Sequence, residues 1–406
     1  MKMERMLKSK TDSRFQTSDS RPRSCVFCLG SWVVCLLLFA IVQSYGLLAE
    51  NSFAGFPQDV VPVEGSSQWL VSPKLLEHAK LEILWEKPLP IKKDESLEQL
   101  LILDNRVYAI SDRNYTVSLN RENGNMIFGR VVAPDGLPVM GLKLYDDELI
   151  SITGTKVIAI DPDSGAQRKA VDVGFSIVCP AVRNSSYFYL SGIDKRLHAL
   201  RAEDMVQIFE VAADNESMIT SIIADESSVI FATAAGNVIS IMPNKPTRLW
   251  QFDAAGGIAG PIVKDGISLL FASKDTNVYR VDIIGLPLRK QLVWKYQTAG
   301  VLDKAPRVTR GVVYQYVPGK GLTAIDKGDG TPLWSVPGGV DLLAEDKDKA
   351  YVITKNRTLV VMDNVSAKKL YSVNFAQVSR YAANITDSKI YIADERGRIA
   401  CLQPVE

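Results

Sequence analysis

An all-β fold, an eight-bladed β-propeller of four-stranded antiparallel blades, follows from three observations in the 406-residue sequence. A short apolar position recurs at Leu119, Ile160, Leu200, Ile241, Val281, Ile325, Met362 and Leu402, in steps of 41, 40, 41, 40, 44, 37 and 40 residues. Each step holds several strand-like segments, and a period near ~40 built from strands marks blades that cannot bury their faces alone. The last unit ends after its third strand, while one orphan strand segment, around Trp85, stands ahead of the first unit.

Before the repeats, residues 1–24 hold seven basic residues (Lys2, Arg5, Lys8, Lys10, Arg14, Arg21, Arg23) against Glu4, Asp12 and Asp19. They form a basic leader to CVFCLGSWVVCLLLFAIV at 25–42, eighteen residues without a charge, extendable to Ala49. That length reaches the span of a bilayer core, and basic residues ahead of it hold the leading end in the cytoplasm. A retained transmembrane signal anchor over 25–49 is the reading its length favours. A signal peptide cleaved near Ala49, or after the SFA at 52–54, is the other. An all-β repeat has no place for such a helix in its core. Residues 50–80, with Pro57, Pro62 and Pro73, read as a tether with one helical turn around PKLLEHAK.

The repeats occupy 81–406. Second strands read RVYAISD, ELISITG, YFYLSG, VIFATA, LLFASK, VVYQYV, AYVITK and KIYIAD, all rich in β-branched and aromatic residues. Third strands carry the recurring apolar position. After them come NRENG (120–124), DPDSG (161–165) and DKGDG (326–330), whose glycines suit the positive φ of a tight hairpin. Their acidic residues invite a calcium reading, but no twelve-residue loop with a closing Glu follows, so turn chemistry explains them.

Nine residues past each apolar position a fourth-strand aromatic recurs: Phe128, Phe209, Trp250, Trp334 and Tyr371, with Trp294 at thirteen because unit five has an insertion. Unit two has Lys169 instead. An aromatic at one fixed place suits a wedge between blades. First strands carry CPAV (179–182), GPIV (260–263) and APRV (305–308), with Pro where a strand begins. AAGGIAG at 254–260 lacks the Lys-Ser/Thr of a phosphate loop, which leaves crowding near the axis as its reason. The Trp85 strand, in LEILWEKPLP, is expected to complete blade eight and close the ring.

The formal charge of +1, from 47 basic and 46 acidic residues, provides no field for nucleic acid. Past residue 24 the balance is 40 basic to 43 acidic. Cys25, Cys28 and Cys35 fall in the apolar segment, where a C-x-x-C spacing lacks the further ligands zinc needs. Cys179 and Cys401 fall on distant blades and are expected to be free, buried thiols. His78 and His198 are the only histidines. They cannot assemble a nucleophilic triad or a His-rich metal site, so no catalytic residue and no metal ligand is assigned and cofactor-binding residues stay unknown. Six N-x-S/T sequons, at Asn114, Asn184, Asn215, Asn356, Asn364 and Asn384, fit either lumenal glycosylation or polar turns, the latter preferred.

VYQYVPGKGLTAIDKGDGTPLW (313–334) and LISITGTKVIAIDPDSG (149–165) resemble the pyrroloquinoline-quinone-like (PQQ-like) repeat propellers. The resemblance spans about 81–406. It implies one of two branches: periplasmic quinoprotein dehydrogenases, or non-catalytic propellers such as the outer-membrane assembly lipoprotein. The dehydrogenases are longer, with inserts for a calcium-bound quinone and an adjacent-cysteine disulfide, and this chain lacks both. The lipoprotein carries a lipidated Cys after its apolar segment, whereas here the cysteines lie before and within it. The expectation is therefore a single-pass inner-membrane protein with its N-terminus cytoplasmic and its propeller in the periplasm or extracytoplasmic space. It would act as a scaffold for a protein or peptide partner, with no nucleic acid and no cofactor. The alternative is a quinoprotein-like oxidoreductase using pyrroloquinoline quinone with calcium, or a small-ligand sensor.

Overall fold

The computed structural model describes residues 69–405; the leader, the apolar segment and the start of the tether lie outside the described residues. Eight four-stranded antiparallel sheets follow one another around the ring. Blade one runs Leu97–Leu103, Arg106–Ser111, Tyr115–Asn120 and Met126–Val131, and the same order repeats through blade seven. Each recurring apolar residue sits on a third strand and is buried. Apolar residues occupy both faces of the second and third strands because each sheet is covered by a blade on either side.

Blade eight has Arg380–Ala382, Ile390–Ala393 and Arg398–Pro404 from the C-terminal end, and its fourth strand is Leu81–Pro88 from the N-terminal end. Leu81 pairs with Pro404 and Trp85 with Cys401, as the orphan strand predicts. The main-chain bonds continue past the strands: Leu89 donates to the Gly397 carbonyl at 2.8 Å and Val405 to the Lys80 carbonyl at 2.8 Å. The closure gives blade eight its fourth strand, so no third strand is left as an unpaired outer edge.

The expected helical turn is present as Pro73–His78, with proline in its first turn where the missing N–H costs nothing. Leu70, Val71, Leu76 and Ala79 pack with Leu343, Tyr351, Phe375 and Ile390 of blades seven and eight. The Leu70 N–H donates to Glu86 Oε1 at 3.0 Å, and burial raises the Glu86 carboxyl above its usual range. The end of the tether segment is thus part of the folded body.

Proline is less uniform than the sequence pattern suggests. Pro180 and Pro306 precede the short strands Val182–Arg183 and Arg307–Val308. Pro261 lies inside Ile258–Asp265, where the register slips between Ala259 and Val263, and the slip removes the need for its absent N–H. The glycines of 254–260 are crowded as expected. A Cβ at Gly257 would stand 2.3 Å from the Ala234 carbonyl oxygen, and one at Gly260 2.7 Å from the Ala305 nitrogen.

Candidate functional site

The junctions between blades share one construction. In every blade the fourth strand carries a β-bulge facing the recurring apolar residue, so two residues oppose one: Leu84, Ile127, Arg168, Ile208, Leu249, Val293, Leu333 and Leu370 are the extra residues. A bulge bends the strand and re-aims the next side chain. That next residue is the wedge: Trp85, Phe128, Lys169, Phe209, Trp250, Trp294, Trp334 and Tyr371.

The wedge lands on the following blade. The Trp85, Phe128 and Trp294 rings lie over Gly124, Gly165 and Gly330, where an added Cβ would come within 2.5–2.7 Å of the ring. These turn glycines therefore do two things: they adopt positive φ and they leave room for an aromatic from the neighbour. Trp85 Nε1 donates to the Arg121 carbonyl at 3.2 Å, Trp294 Nε1 to the Lys327 carbonyl at 2.9 Å, and Trp334 Nε1 to Asn364 Oδ1 at 2.9 Å. Seven junctions are filled in this general manner, which bears out the wedge reading.

The junction between blades two and three is different. Lys169 is exposed and reaches across to the turn of blade three, its Nζ donating to the Glu203 carbonyl at 3.2 Å. The turn of blade three has Met205, at φ 63°, where the turns of blades one, two and six place Gly124, Gly165 and Gly330. Opposite the wedge position, Ser118, Ala199, Ser240, Ala324, Val361 and Cys401 are all 0% exposed, but Ala159 is 8% exposed. The space left is a cavity of about 440 Å³, walled by Ala159, Val171, Phe188 and Met205 and rimmed by Asp146 and Glu203. It opens on the face that carries the turns joining first to second and third to fourth strands.

Arg183 forms the inner wall. Its guanidinium lies 4.2 Å from the Tyr145 ring centre and 4.8 Å from that of Phe188, and Nη1 stands 3.3 Å from Glu148 Oε2. Held between two rings and a carboxylate, the cation is fixed in place. Behind it a second cavity of about 290 Å³ shares Tyr145, Ile150, Arg183 and Phe188 and runs toward the first strands, to Ser221 and Ile262. A cleft with apolar walls, a few ordered charges and this volume has the make-up of a recognition site. A wider hollow of about 690 Å³ over blades six to eight has only Val312 and Ile385 as aliphatic lining.

The residues singled out in the sequence fall elsewhere. Cys179 and Cys401 are free and buried, as expected, and burial pushes their thiols up to about 11 and about 12. His78 ends the short helix and is exposed. His198 is buried, stacked on Phe175 with ring centres 4.0 Å apart and Nε2 3.0 Å from Asp194 Oδ2. It sits near the turn joining second and third strands, at the far end of the blade from the cleft. Among the described residues no three His, Cys, Asp or Glu side chains gather as metal ligands.

Four sequon amides are committed internally. Asn114 Nδ2 donates to the Pro134 and Leu137 carbonyls, Asn184 to Tyr189 Oη and the Asp225 carbonyl, Asn364 to Tyr314 Oη, and Asn384 to Asp387 Oδ1 and the Lys389 carbonyl. Asn215 and Asn356 alone among the six are exposed. Polar turns, rather than acceptor sites, account for the other four.

The cleft went unassigned in the sequence, although its signal was visible: Lys169 is the one break in the aromatic series. The sequence model of the family described as outer membrane protein assembly factor BamB matches residues 153–285 and 236–377. The crystal structure of BamB from Moraxella catarrhalis is similar, with a TM-score of 0.61 at 14% identity over 80% of this chain and 97% of that one. A computationally designed protein, Ika8, gives a TM-score of 0.60 at 13% identity over 77% of this chain and 98% of that one. Such identities compare folds. No curated protein matches the chain significantly.

Proposed function

This chain belongs to the PQQ-like repeat propeller family described as outer membrane protein assembly factor BamB, and from that membership we propose a non-catalytic scaffold that binds a protein partner at the cleft between blades two and three. One observation carries the reading. The ring is built from tight repeats without a catalytic insert, and its single unfilled junction holds a fixed cation, apolar walls and an acidic rim. In the same proposal, residues 25–49 anchor the protein in the inner membrane and the propeller faces the periplasm. The seven basic residues ahead of the apolar stretch support that orientation.

A photo-crosslinking benzoylphenylalanine at exposed Ser185, on the cleft rim, tests the reading in intact cells. Expected is one discrete protein adduct from Ser185, none from the same group at Lys355 on the opposite face, and loss of the Ser185 adduct in Arg183→Glu. No adduct at Ser185 overturns the scaffold reading. Calcium-dependent uptake of pyrroloquinoline quinone by the purified protein would replace it with the oxidoreductase alternative.

A further inference from the structure

We propose that the cleft between blades two and three is a socket for one aromatic side chain of the partner, flanked by basic residues, which enters where the eighth wedge is missing. This rests on the partner-binding reading and names the partner's chemistry.

The socket is built even though its own wedge is absent. Blade two keeps the bulge, at Arg168, so its fourth strand still bends at the position from which the other blades aim an aromatic into the junction. It keeps the small residue opposite, Ala159, and leaves it reachable by solvent, unlike its counterparts in blades one, three, four, six, seven and eight. The occupant that fits such a slot is the one the other seven junctions already contain, a flat aromatic ring with a large apolar area. Met205 supplies the far wall. Its flexible thioether can follow rings of different size and makes favourable contacts with their edges.

Charge selects the flanks. The lining has four carboxylates, Asp146, Asp147, Glu148 and Glu203, against two cations, Lys169 and Arg183. Asp147 and Glu148 are engaged by Arg168 and Arg183. Asp146 and Glu203 have no ion-pair partner among the described residues, and they stand at the rim where residues beside a buried ring would lie. An acidic rim favours a basic partner and speeds its encounter at low salt.

The test uses the full-length protein in detergent and three labelled peptides, Lys-Trp-Lys, Lys-Ala-Lys and Glu-Trp-Glu, each capped at both ends, followed by fluorescence anisotropy. Lys-Trp-Lys is expected to bind at least tenfold more tightly than either of the others, and to weaken as salt rises. The double substitution Lys169→Trp with Met205→Gly restores the wedge and its glycine, and should abolish peptide binding while raising Tm. The rim pair Asp146→Lys with Glu203→Lys, both exposed, should invert the preference toward Glu-Trp-Glu without changing Tm. Equal binding of the Trp and Ala peptides overturns the socket, as does undiminished binding in the wedge-restored variant. If no peptide binds while the Ser185 crosslink still captures its protein, the socket fails and the scaffold reading stands. If both are absent, both fail.

Discussion

The junction that closes the ring, between blades eight and one, and the junction between blades two and three use the same bulge and the same strand register, yet one is cemented and the other open. At the closure Trp85 covers Gly124 and bonds the Arg121 carbonyl. Arg121, itself buried, donates from Nε to Tyr391 Oη at 3.0 Å, from Nη1 to the Asp104 carbonyl at 3.1 Å, and from Nη2 to Asn384 Oδ1 at 2.9 Å and Thr386 Oγ1 at 2.8 Å. Every guanidinium nitrogen thus has a partner. Arg183, the arginine of the open junction, has one carboxylate, the Asn184 carbonyl and two rings, with a cavity on each side. The bulge is shared by all eight junctions; whether a junction is cement or a site follows the side chain at the wedge position.

The largest expected effect is at the closure. Trp85→Ala removes a buried indole and leaves a void that the paired strands cannot collapse around, at a cost of ~3–5 kcal/mol. Thermal melts should show Tm lower by roughly 5–10 °C. Arg121→Ala should come next, at about 3 kcal/mol, because buried Asn384 and Tyr391 each lose a partner and Asp387 loses its ion pair. Should Arg121→Ala prove neutral, the closure would be held by strand pairing and the Trp85 wedge, and the contrast with blades two and three would lose its electrostatic half.

The two thiols give a local readout of the same contrast. Cys401 pairs directly across from Trp85, and Cys179 sits in blade three. Burial keeps both protonated, up to about 12 and about 11, so neither should react with iodoacetamide at pH 8 in the folded protein. In Trp85→Ala, Cys401 should become alkylated well before Cys179, measured by mass spectrometry of the labelled peptides. The linkage has a definite sign. Unfolded thiols lose their protons near ~8.5 and the folded ones only higher, so the folded state holds more protons in between. Stability is full below that unfolded value and declines as pH rises from it toward about 11–12.

Much of this was legible in the sequence because repetition averages out local ambiguity. Eight copies of one strand pattern fix a period that no single copy could, and a missing strand at one end matched by a spare one at the other fixes the closure. The bulges were not legible, since one extra residue per fourth strand in every blade leaves the period unchanged. Nor was the second duty of Gly124, Gly165 and Gly330, because the aromatics they accommodate lie 39, 37 and 36 residues away in sequence. The cleft had one visible trace, Lys169, and a lone departure in a series of eight reads as tolerance, because a sequence does not tell whether another ring fills the space. Arg183 had no trace at all, since its rings, Tyr145 and Phe188, are brought together only by the packing of two blades.

The smallest expected effect lies at that lone departure, and its smallness is the point. Lys169→Ala removes an exposed side chain whose one polar contact is a main-chain carbonyl at 3.2 Å. An exposed change of this kind alters stability by no more than ~0.5 kcal/mol. Chemical denaturation of Lys169→Ala beside Trp85→Ala, at equivalent positions of two blades, should therefore differ by ~2.5 kcal/mol or more. The same truncation at Lys169 should leave the peptide socket open and slightly wider, since it shortens one side chain of the lining. A Lys169→Ala cost as large as that of Trp85→Ala would mean that lysine is itself the wedge of blade two, and that the junction is sealed rather than open.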